Sequence, residues 1–119
     1  MTKNKDVTND FINGFVNRTQ NLFIKKNPTN NILILYSYGY HFPLCIKLLD
    51  NTFLINSNGY SNTTARHKSL LCRDLGFNNF KDLEQNHNKD NIILMDTNEL
   101  KRVIDMGFIN KSQIMEDKV

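Results

Sequence analysis

The sequence predicts an α+β fold: a small antiparallel sheet of three to four strands with packed helices, in the order α-β-β-β-α-(β)-α. Three observations predict it. An apolar stripe at helical spacing occupies residues 8–25. Three apolar runs of strand length follow between residues 31 and 57, and a reciprocal capping pattern opens a last helix at Asp96. Strands and helices thus fall in separate runs, as in layered α+β domains.

The first helix rests on Phe11, Ile12, Phe15, Val16, Leu22 and Phe23, with Thr8 as N-cap. Pro28 closes it, because the residue before proline is pushed out of the helical region. Asn31 to Tyr36 is a continuous apolar run, the pattern of a central strand covered on both faces. Runs 43–49 and 52–57 flank Asp50-Asn51 and read as a tight hairpin. Tyr38 to Phe42 forms an aromatic loop in which Gly39 supplies any positive φ, and Asn58-Gly59 turns the chain out of the third strand.

A second helix covers about Thr63 to Leu75, capped by Asn62 or Thr63 and stopped by Gly76-Phe77. The same stop recurs at Gly107-Phe108. Residues 80–85 make one short helical turn, Ile92 to Met95 an additional strand, and Asp96 with Glu99 the capping box of a helix through Leu100, Val103 and Ile104.

The 119 residues are enough for one domain with a single core, with residues 1–7 and 109–119 as loose ends. Nineteen asparagines are dispersed through turns and faces rather than gathered in a tract, which points to an AT-rich genome and not to a prion-like segment. A net charge of +3 permits an anionic partner without demanding one. The sequence contains no 18-residue apolar run and its first ten residues are polar, so a place in the cytoplasm of whatever cell makes it, away from membranes, is expected. Cys45 and Cys72 read as two buried thiols. Neither pairs at short range with His41, His67 or His87, so neither a metal nor a cofactor is expected.

One stretch invites a functional question. The first turn of a helix carries free N–H groups and the positive end of the macrodipole, where acids are favoured, yet the second helix opens on Arg66-His67-Lys68. Two readings are open. In the first, His67 is a neutral, hydrogen-bonded histidine at the core edge, and Arg66 and Lys68 lay their stems on apolar surface. In the second, Thr63, Thr64, Arg66, His67 and Lys68 hold an anion such as a phosphate or carboxylate, which offsets both the dipole and the repulsion among the bases. Tyr38, Tyr40 and Tyr60 either add an aromatic contact surface for bases or cover the sheet edge. Catalytic readings run short of parts: the sequence has no Gly-rich phosphate loop, no H-E-x-x-H and no G-x-S-x-G, and Asp50, Asp74, Asp82 and Asp96 are scattered.

Ser37-Tyr38, Pro43-Leu44, the hairpin around Asp50, and Tyr60, Ser61, Thr63, Thr64 and His67 form a pattern spanning about 35 residues. This pattern resembles a small domain of unknown function met in bacteriophage and other mobile-element proteins. The resemblance implies a phage or prophage gene and supplies no reaction; Lys68 stands where similar sequences often have a polar amide. The leading expectation is a non-enzymatic phage accessory protein that binds host nucleic acid or a host defence or replication protein, counter-defence included. A small-molecule phosphate or nucleotide binder, with or without hydrolytic activity, and a structural or assembly protein are the alternatives.

Overall fold

The computed structural model describes residues 2–117. Its first helix, α1 (Asn4–Ile12), starts earlier and ends sooner than the stripe from Thr8 to Lys25 predicts. Asn13 caps it and Gly14 follows at φ +89°, a conformation open to glycine without a Cβ penalty, so the helical path stops there. Phe15 and Val16, which the stripe assigns to the helix, stand in solvent at 63% and 56% exposure. The rest of the stripe is strand β1 (Leu22–Lys26), with Leu22 and Ile24 buried on one face of the sheet and Phe23 packed on the other. Three alternating residues are too few to separate the two periodicities, and pairing with the next strand decides the outcome.

The predicted central run becomes β2 (Leu33–Ser37), buried along its whole length, and the predicted hairpin becomes β3 (Pro43–Lys47) and β4 (Phe53–Asn56). Strands β1 to β4 form an antiparallel meander. The chain then crosses over through α2 (Asn62–Asp74) and α3 (Phe80–Asn86), so β5 (Ile92–Met95) returns parallel to β4. The sheet therefore has five strands in the order β1-β2-β3-β4-β5 and is mixed, where three to four antiparallel strands were expected.

Helices cover both faces. Val7 and Phe11 of α1, Leu71 and Cys72 of α2 and Leu83 of α3 meet Leu22, Ile24, Leu35, Cys45 and Ile55 on one side. On the other, α4 (Thr97–Met106) and α5 (Lys111–Asp117) supply Leu100, Val103 and Ile114 against Ile34, Tyr36, Ile46 and Leu54. The capping box of α4 forms as read, with Asp96 accepting from Glu99 N at 2.8 Å. Both glycine stops hold as well: Gly76 and Gly107 take positive φ, and Phe77 N returns to Cys72 O at 2.9 Å.

Three local expectations change. The β3–β4 connection closes on Leu48 N to Thr52 O at 2.9 Å with Asn51 at φ +65°, a loop of Leu49, Asp50 and Asn51 rather than a two-residue turn. In the aromatic loop Tyr38, not Gly39, carries the positive φ, at +72°. The segments expected to be loose are largely helical: α1 begins at Asn4 with Val7 buried, and α5 packs Ile114 into the core. Each has an apolar anchor that a short polar stretch hides from a periodicity count. Met1, Lys118 and Val119, the outermost parts of those ends, lie outside the described residues. No helix among the described residues is long and apolar enough to cross a membrane.

Candidate functional site

Ser61, not Asn62 or Thr63, caps α2: its extended backbone and its hydroxyl oxygen, accepting from Thr64 N at 3.1 Å, start the helix one residue earlier. That shift moves Arg66, His67 and Lys68 into the second turn, beyond the strongest part of the dipole. His67 is 1% exposed and turned into the sheet. Its Nδ1 lies 2.7 Å from Ser37 Oγ at the end of β2, and its Nε2 lies 3.3 Å from Asn4 Nδ2 on α1. Asn4 is fixed in turn by Thr19, whose hydroxyl donates to Asn4 Oδ1 at 2.6 Å. With the Asn4 amide nitrogen facing Nε2, that ring nitrogen accepts, and the proton sits on Nδ1 facing Ser37 Oγ. Burial pushes the imidazole below its ordinary pKa of 6.5, in keeping with a neutral ring. Thr64 Oγ1, 3.1 Å from Ser37 Oγ, completes a buried chain that ties α1, the loop before β1, β2 and α2 together.

Lys68 is also internal, at 6% exposure. Its Nζ donates to Asn58 O, in the segment that leads into the helix, at 2.7 Å and sits 4.2 Å from the centroid of the Phe80 ring. Burial lowers its pKa, while Cys72 and Glu84 act in the opposite sense. The five residues singled out by sequence thus part company. Thr64, His67 and Lys68 serve the interior, whereas Arg66 is exposed and Thr63 half-buried.

What remains outside is a groove of about 480 Å³ along α2, lined by Asn4, Thr63, Arg66, Leu70 and Arg73. Arg66 and Arg73 are both exposed and lie two helical turns apart on one face, about 10 Å along the axis. Neither makes an ion pair among the described residues, where the salt bridges are Arg102–Asp117 and Lys111–Asp90. Arg73 was not among the residues predicted from sequence; its i+7 spacing from Arg66 was the available signal.

No family model, curated protein or solved structure matches this chain.

The tyrosines are exposed but diverge. Tyr40 leans edge-on against Phe23 and Tyr36, Tyr60 covers His41 and Phe42, and Tyr38 stands 6.3 Å from the His67 ring.

The scattered aspartates each have structural partners. Asp50 accepts from Lys111 N at the start of α5, Asp82 from Asn78 N before α3, Asp96 from Glu99 N, and Asp74 from the Thr8 hydroxyl. Among the described residues no group of three His, Cys, Asp or Glu side chains is arranged to hold a metal ion. Both cysteines are free and buried. Burial pushes the Cys72 thiol up to about 11 and raises that of Cys45 as well, so both stay protonated and shielded. In the native protein at pH 8, a thiol-exchange reagent is expected to modify neither cysteine within the time it takes to modify both in denaturant. Rapid labelling of the native protein would contradict their placement in the core.

Proposed function

We propose that this chain is a non-enzymatic accessory protein of the bacteriophage or mobile-element class that its central motif resembles, and that it binds nucleic acid through the exposed face of α2. The observation that carries the reading is the pair Arg66 and Arg73, exposed on one helix face around an open groove with no carboxylate paired to either among the described residues. Unpaired arginines at this spacing suit phosphate oxygens, and phosphate contacts supply most of the sequence-independent affinity for nucleic acid. The groups with nucleophilic or acid–base chemistry support a binding role in a different way. Ser37, His67, Cys45 and Cys72 are buried, and the first two are bonded to each other. A host protein with an acidic face would meet the same two arginines, and counter-defence against such a host factor belongs to the same class.

The test is fluorescence anisotropy of labelled single- and double-stranded oligonucleotides at low and moderate salt. Wild type is compared with an Arg66→Ala, Arg73→Ala variant; both side chains are exposed, so the variant is expected to keep its fold by circular dichroism. Wild type should bind with salt-dependent affinity, and the variant should weaken binding and flatten the log–log salt slope by about one per arginine removed. Absence of binding by wild type at low salt would overturn the proposal.

A further inference from the structure

A second concavity, of about 540 Å³, opens at the outer edge of β1, lined by Val16, Arg18, Gln20, Phe23, Lys25 and Tyr40 among others. The strap of residues 17–19 forms its far wall, held to the strand edge by Thr19 N to Leu22 O at 2.7 Å and Ile24 N to Asn17 O at 3.1 Å. Tyr40 is 61% exposed, yet its ring is braced by Phe23 at 5.2 Å and Tyr36 at 5.0 Å, so it stands ready at little further entropic cost. No carboxylate lines the cleft. Asp10, which touches it through Asn17, accepts from that amide at 2.8 Å. Neither Arg18 nor Lys25 has an ion-pair partner among the described residues.

We infer that this cleft is a nucleotide subsite, taking a planar base against Tyr40 and Phe23 and a phosphate between Arg18 and Lys25. Its volume falls within the range of small-ligand pockets, and an aromatic wall beside free cations matches a ligand that is flat and apolar at one end and anionic at the other. The cleft adjoins the α2 groove: Thr19 lines the one, Asn4 lines the other, and the two are hydrogen-bonded at 2.6 Å. Phe23 and Tyr40 lie with Tyr36 on the sheet face opposite α2, so a strand whose phosphates pass Arg66 and Arg73 would round the outer edge of β1 at Asn4 and Thr19 to reach them. In a duplex the bases are stacked and paired and none is offered to Tyr40, so this inference, which rests on the nucleic-acid reading, narrows it to single strands. A free nucleotide presents the same chemistry.

The experiment measures anisotropy with a labelled single strand of about 12 nucleotides and the matching duplex. Wild type is compared with Tyr40→Ala, Tyr40→Phe, Lys25→Glu and the Arg66→Ala, Arg73→Ala variant, alongside calorimetric titration with adenosine monophosphate. The single strand should bind more tightly than the duplex. Tyr40→Ala should weaken it about tenfold, Tyr40→Phe should preserve it, and Lys25→Glu should weaken it with a change in salt slope. Monophosphate binding lost in Tyr40→Ala identifies a free nucleotide as the ligand; strand binding without it identifies the polymer. If duplex and single strand bind alike and Tyr40→Ala behaves as wild type, while the arginine variant loses affinity, the cleft assignment falls and the α2 interface stands. If only the monophosphate binds, the cleft stands and the α2 interface falls. Failure of wild type to bind any of the three removes both.

Discussion

Replacing His67 with alanine is expected to lower the unfolding free energy by about 3 kcal/mol, because it leaves Ser37 and Asn4 without their shared partner and opens a cavity between α1, β2 and α2. Urea unfolding followed by circular dichroism measures it, and a loss below about 1 kcal/mol would mean that the buried chain contributes little beyond burial. A pH signature accompanies the loss. The folded-state pKa of His67 lies below 6.5 because burial disfavours the charged ring, whereas in the unfolded chain it returns to the ordinary value. Well above pH 6.5 the ring is neutral in both states and has no effect on the slope. As pH falls through 6.5 the unfolded chain takes up a proton that the native protein does not, so stability declines, by at most about 1.4 kcal/mol per pH unit, until the folded-state value is reached. Asp50 and Asp82 are held below their ordinary 3.8 and titrate outside this window. Wild type should therefore lose stability between pH 7.5 and 5.5 by more than a His67→Gln variant does. Equal slopes would remove His67 as the source.

Phe11→Ala is expected to have the larger effect on stability, about 3 to 5 kcal/mol. Phe11 is fully buried and sits 6.2 Å, ring to ring, from Phe53 on β4, so it fixes a short helix to the sheet. With only nine residues, α1 has little stability of its own, and its packing must supply what propensity does not. Loss of the ring should also free Asn4, and with it one side of His67. Amide exchange in α1 should then rise further than in β2 or β3. Uniform acceleration across all elements would show instead that α1 belongs to the global folding unit.

The parts of this fold that were legible in the sequence are those whose signals are local. The unbroken run at Asn31 to Tyr36, the capping box at Asp96 and the glycine stops at Gly76 and Gly107 each specify their own geometry within a few residues. β1 was not legible, since Leu22-Phe23-Ile24 fits either period until β2 lies beside it. The parallel direction of β5 follows from a crossover that no short window contains. At the candidate site the orientation of His67 towards the core could be derived from its spacing to Leu70 and Leu71. Its partners could not, because Asn4 and Ser37 come from distant segments. Lys68 stayed open between two readings for a related reason: a lysine two residues from an arginine fits either an anion-binding cluster or a stem laid on apolar surface, and its partners Asn58 and Phe80 come from other segments.

The mixed sheet also sets an order of events as the chain folds. Each antiparallel pair from β1 to β4 closes over a short connection, whereas β5 can reach β4 only after the segment carrying α2 and α3 has been drawn in. Loop-closure entropy makes that last pairing the slow one. Until it is made, β4 is an open edge bearing Phe53, Leu54 and Ile55, with no lysine or proline to discourage a neighbour. On a ribosome the interval between the emergence of β4 and that of β5 is thus when the nascent chain is most exposed to pairing with another copy of itself, and rapid formation of α2 and α3 shortens it.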